Sequence, residues 1–60
     1  LRETAIIKAA RARQNVVLKM LIAKGADLQE TDAAGSTALE IAQRAGWKDT
    51  AEILKKAGAP

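Results

Sequence analysis

One period dominates this sequence. Displacing the chain by 33 residues brings Thr4 onto Thr37, Ala5 onto Ala38, Ala9 onto Ala42, Arg11 onto Arg44 and Ala12 onto Ala45. The same shift brings Leu21 onto Leu54, Gly25 onto Gly58 and Ala26 onto Ala59, while Ile6/Leu39 and Met20/Ile53 stay apolar. Each copy reads as a short helix, a break, a second helix and a glycine stop. A helix–turn–helix unit of this size cannot bury its apolar face alone, so such units stack side by side into a solenoid. A chain of 60 residues holds two of them and leaves only a small core.

Taken in order, the first helix is expected over Thr4–Ala12. Ala5, Ile6, Ala9 and Ala10 recur at helical spacing as its apolar face, and Thr4 suits the N-cap. Arg13 and Gln14 make the break. The second helix is expected over Asn15–Lys24, with Asn15 as its cap. Val16, Val17, Leu18, Met20, Leu21 and Ile22 are apolar nearly all round, which predicts burial on more than one side. Gly25 then stops it in a left-handed conformation. Residues 26–36 connect the halves, and Asp32-Ala33-Ala34-Gly35 has the form of a β-turn. Thr37-Ala38-Leu39-Glu40 is a capping box that opens a third helix ending at Ala45, before Gly46. The fourth runs from Lys48 to Ala57, closed by Gly58 and Pro60, with Asp49 and Glu52 early and Lys55 and Lys56 late, as the helix dipole favours.

The run Gly35-Ser-Thr-Ala-Leu-Glu-Ile-Ala, then Gly46-Trp47, Ile53-Leu54 and Gly58-Ala59 resembles the ankyrin repeat, and the likeness covers nearly the whole chain. It implies an all-α fold of stacked helix–turn–helix units joined by an extended finger, with repeat one at residues 1–31 and repeat two at 32–60. It also implies that the chain reverses at Arg13 with positive φ, where the family has glycine, at a cost of about 1 kcal/mol. The family's Pro and His are replaced here by Ala38 and Glu40. In this family partners meet the fingers and the inward face of each first helix. Carried over, that surface is Lys8, Arg11, Ala12, Ala33, Ala34, Ser36, Arg44 and Ala45.

The copies also differ. Val17 becomes Thr50, Ala10 becomes Gln43, Leu18 becomes Ala51 and Ile22 becomes Lys55. The more polar second copy is read as a C-terminal cap, since the terminal unit of an array needs a polar outer face where nothing stacks beyond it. In repeat one, Ile6, Ile7, Val16, Val17 and Ile22 are too many for one neighbour to cover. Further repeats ahead of Leu1, a partner or self-association are the three expected occupants.

Function classes narrow by residue type. The chain has no histidine, cysteine or tyrosine, and no glycine-rich phosphate loop. No catalysis, cofactor or metal site is expected, and Asp27, Glu30 and Asp32 read as turn-forming acids. The absence of cysteine fits a cytoplasmic setting. No apolar run suits a membrane span, and the break at Arg13 argues against one amphipathic membrane-surface helix over 5–24. Residues 1–25 carry six basic side chains against Glu3 alone, whereas residues 26–60 carry four against six acids. The basic set is Arg2, Lys8, Arg11, Arg13, Lys19 and Lys24. No aromatic interleaves with it, which argues against nucleic acid and points to an acidic protein partner. Trp47, the one aromatic, is expected to pack at the turn. The reading is a non-catalytic protein-interaction module from the C-terminal end of a longer array. Its alternative is a structural, self-associating cap.

Overall fold

Four short helices alternate with tight reversals in the computed structural model, which describes residues 4–59. They are α1 (Ala5–Arg11), α2 (Asn15–Ala23), α3 (Ala38–Ala45) and α4 (Lys48–Lys56). Arg2, Glu3 and Pro60, which entered the charge count and the expected C-terminal stop, lie outside the described residues. Each helix is too short to persist alone in water, so packing has to hold it. α1 packs on α2 and α3 on α4 within the repeats, while α1 meets α3 and α2 meets α4 between them. That is a two-unit solenoid. Among the described residues, no helix is long and apolar enough to cross a membrane.

Local chemistry sets the ends. Thr4 Oγ1 accepts from the Ile7 amide at 3.4 Å. Thr37 Oγ1 accepts from the Glu40 amide at 3.2 Å, and Glu40 Oε1 accepts from the Thr37 amide at 2.9 Å, completing the capping box. All four helices close by the same paired bonds, for example Trp47 N to Ala42 O at 3.0 Å and Gln14 N to Ala9 O at 2.9 Å. The residue that reverses the chain is Gly46 at φ 78° in repeat two and Arg13 at φ 55° in repeat one, so the expected left-handed arginine is present.

The core is small and alanine-rich. Ile6, Ile7, Leu18, Leu39 and Leu54 supply its bulk, with Ala9, Ala10, Ala38, Ala42 and Ala51 between them. Alanine at these sites lets the helices approach closely. Two expectations for α1 change. Ala5 is exposed and Ile7 takes its place in the core, because the contact with α3 lies on the Ile7 side. Ile6 and Ile7 are therefore covered by repeat two and the core, and neither belongs to an open self-association face.

α2 departs further. Leu18 is its one buried residue, Leu21 and Ile22 are half-buried, and Val16, Val17 and Met20 are exposed. It is covered where it meets α1 and α4, and the rest of its surface is open. Asn15 does not cap α2: Gln14 holds the N-cap position without a side-chain bond, and the Asn15 side chain turns instead to α4. There Asn15 Nδ2 donates to Asp49 Oδ2 at 2.8 Å, and Thr50 Oγ1 donates to Asn15 Oδ1 at 2.7 Å. Thr50 is fully buried, so its polarity belongs to the contact between repeats and not to an outer face. Arg13 joins the cluster, donating to both Asp49 oxygens at 3.2 Å and lying 5.8 Å from the centre of the half-buried Trp47 ring.

Candidate recognition surface

The surface is organised by the turn that precedes α3. Asp32 opens it: the Gly35 amide donates to the Asp32 carbonyl at 2.9 Å, and the Asp32 amide donates to the Ser36 carbonyl at 2.9 Å. Asp32 Oδ1 accepts from the amides of Ala34 and Ser36, both at 2.9 Å. A short polar side chain bonding its own backbone two and four residues on fixes the loop without a sheet. Pairing along the finger amounts to one antiparallel bridge, Thr31 to Thr37, in place of the expected two or three residues on each side.

Two arginines one period apart converge on this finger. From α1, Arg11 donates to Asp32 Oδ2 at 2.8 Å. From α3, Arg44 donates to Ser36 Oγ at 2.8 Å. The Ser36 amide, then the Ala34 amide and the positive charges of Arg11 and Arg44, hold the Asp32 carboxyl below its usual range, against a smaller opposing effect of burial. On the far side of the repeat contact, the Asn15 amide, then the Thr50 backbone and Arg13, lower Asp49 in the same sense.

The expected contact residues sort as follows. Lys8, Arg11, Ala12, Ala33, Ala34, Arg44 and Ala45 are exposed, on α1, the fingertip and α3. Ser36 is buried, so its part is to hold Arg44 and not to meet a partner. Asp32 was read only as a turn former, yet it ties the finger to α1. The identity of Arg11 and Arg44 across the period was the available signal. Among the described residues no group of histidine, cysteine and carboxylate side chains is assembled to hold a metal ion.

Comparison with known proteins agrees with this architecture. The profile of the family described as Ankyrin repeats (3 copies) matches residues 1–60. Over 53 residues the chain is 45% identical to diacylglycerol kinase iota of mouse and of human, a match covering 88% of this chain and 5% of each kinase. It is 32% identical over 57 residues to the ankyrin repeat protein YahD of Escherichia coli, covering 95% of this chain and 28% of that protein. The chain thus spans a small part of the curated relatives it matches. No solved structure matches it. With paired helices, a turn-built finger and a family match along its whole length, the chain belongs to the ankyrin repeat family, whose units are generally non-catalytic protein–protein interaction modules.

Proposed function

We propose that this module binds an acidic segment of a protein partner across the face formed by α1, the fingertip and α3. The observation that carries the reading is the pairing of the two arginines. Arg11 is paired with a carboxylate, Asp32, whereas Arg44 is exposed and donates to the neutral hydroxyl of Ser36. Together with exposed Lys8, the face is positive, and its alanines (Ala12, Ala33, Ala34, Ala45) allow a peptide backbone to approach closely.

The test is fluorescence anisotropy with a labelled glutamate-rich peptide and a lysine-rich control, at low and high salt. Binding of the acidic peptide that weakens with salt is expected. Lys8→Glu and Arg44→Glu should each weaken it about five-fold, the worth of one exposed ion pair at ~1 kcal/mol. The Lys8→Glu/Arg11→Glu pair should weaken it further, with circular dichroism confirming the fold. Unchanged affinity in all three would overturn the reading.

A second reading is supported by the outer side of repeat two, where Gln43, Lys48, Glu52 and Lys55 are all exposed. A polar outer side suits the closing unit of a longer stack.

A further inference from the structure

Arg13 and Gly46 occupy the same place in the two repeats, one period apart. Both turn the chain between paired helices in the left-handed region, at φ 55° and 78°. The backbone bonds around them match: the Arg13 amide donates to the Ala10 carbonyl at 3.2 Å, and the Gly46 amide donates to the Gln43 carbonyl at 3.1 Å. A Cβ on Gly46 would meet nothing within 4 Å, so glycine is favoured there by its backbone freedom alone. Among the described residues, Arg13 is the one non-glycine residue with positive φ. It carries a strain worth about five-fold in the folding equilibrium, which glycine would not. The backbone thus gives no reason for an arginine at this turn.

The side chain supplies one. It leaves its own repeat and crosses to the start of α4, where Nη2 donates to both Asp49 oxygens at 3.2 Å and the guanidinium lies 5.8 Å from the centre of the Trp47 ring. Asp49 sits in the first turn of α4, where the helix dipole favours an anion. Asn15 and Thr50 complete the tie from the two sides of the contact. This is the lighter half of the junction between repeats, since α2 meets α4 less extensively than α1 meets α3. A polar tie has more influence there than it would beside the apolar core. We propose that Arg13 is a latch between the repeats: its bond to Asp49 offsets the strain of the left-handed turn, so that the turn of repeat one is secure only while repeat two is docked.

The dependence runs in one direction. Gly46 makes its turn unaided, whereas Arg13 relies on Asp49 and Trp47 from the other repeat. Without those partners the strain remains and nothing offsets it. Repeat one therefore loosens whenever the start of α4 moves away, and the two units unfold together. Removing Asp49 also reverses which residue is the better one at position 13, from arginine to glycine. The proposal does not depend on the acidic-partner reading, because Arg13 and Asp49 lie on the far side of the repeat contact from the finger.

A double-mutant cycle on the 60-residue chain tests the latch, with urea unfolding followed by circular dichroism. In the unaltered background, Arg13→Gly should change the folding equilibrium by less than about two-fold, since the relieved strain and the lost contacts nearly cancel. In an Asp49→Ala background the same substitution should stabilise the chain by about three- to five-fold. An equal effect in both backgrounds, or no gain in the Asp49→Ala background, would overturn the proposal. Trp47 is the chain's one aromatic residue, so its emission reports on this place alone. Acrylamide quenching of Trp47 should rise in Arg13→Gly, and also in Asp49→Ala, which leaves Arg13 present but unheld. Quenching that is unchanged in Asp49→Ala would show the arginine resting on the ring without Asp49, and would overturn the latch as well. Should Asp49→Ala fail to fold, Asp49→Asn completes both measurements under the same criteria, because it removes the charge that binds Arg13.

Discussion

The sharpest test of this packing compares two apolar residues on one helix. Leu18 and Val16 lie two positions apart in α2, and by composition alone each belongs to a helix that is apolar all round. Leu18 is fully buried, while Val16 is 73% exposed. Leu18→Ala removes three buried carbons, about 2.4 kcal/mol of transfer free energy at ~0.8 kcal/mol each. Incomplete collapse of the site adds to this, so a cost of about 3 kcal/mol is expected. Val16→Ala removes two carbons that are only about a quarter covered, roughly 0.4 kcal/mol, and gains a similar amount of helix propensity. Its net effect is about zero. A domain of this size has roughly 3–9 kcal/mol in all, so Leu18→Ala consumes a third of it or more and lowers the midpoint by roughly 12–24 °C. Urea unfolding followed at 222 nm measures both variants with one slope. A Leu18→Ala cost below about 1 kcal/mol, or equal costs at the two positions, would refute the one-sided burial of α2.

Three further outcomes are expected. Thr37→Ala removes half of the capping box and should cost about 1 kcal/mol by chemical denaturation, with the acidic-peptide affinity unchanged. Gly46→Ala should also cost about 1 kcal/mol, and purely through the backbone: φ is 78° and an added Cβ would meet nothing within 4 Å. Asp32 and Asp49 both have carboxyls held below the ordinary range. Their contribution is present above the unfolded value near 4 and is lost as pH falls through the lower folded value. The melting midpoint should hold from about pH 7 to pH 5 and decline below about pH 4, and Asp32→Asn/Asp49→Asn should flatten that decline.

Sequence legibility followed the range of the interactions. Thr4, the Thr37–Glu40 box and the Asp32–Gly35 turn all act within five residues, and local chemistry announces them; the left-handed Arg13 was legible only through the resemblance to a family that has glycine there. The side of α2 that is covered depends on how α1 and α4 pack against it, the latter more than twenty residues away, and no helical period in α2 reports it. Asn15 shows the same limit. It has every qualification for a cap, but Asp49 and Thr50 offer a stronger set of partners from the next repeat. Thr50 looked like an outward polar substitution because it replaces a valine, although its neighbour across the contact made it an inward hydrogen-bonding one. Of the contact residues, only Ser36 moved out of the solvent-facing set, buried with its hydroxyl taken up by Arg44.

The bonding of Asp32 has a consequence for how such a surface changes over generations. Its carboxylate fixes the finger from one end, through the Ala34 and Ser36 amides and Arg11. All of the side-chain bonding is thus discharged by residues flanking the tip, and the side chains of Ala33 and Ala34 carry none of it. Those two positions can drift through many residue types while the loop keeps its shape and the helices their alignment. Novelty in what the finger touches is thereby uncoupled from the risk of unfolding, so selection can explore new contacts at two sites in a domain with little stability to spare.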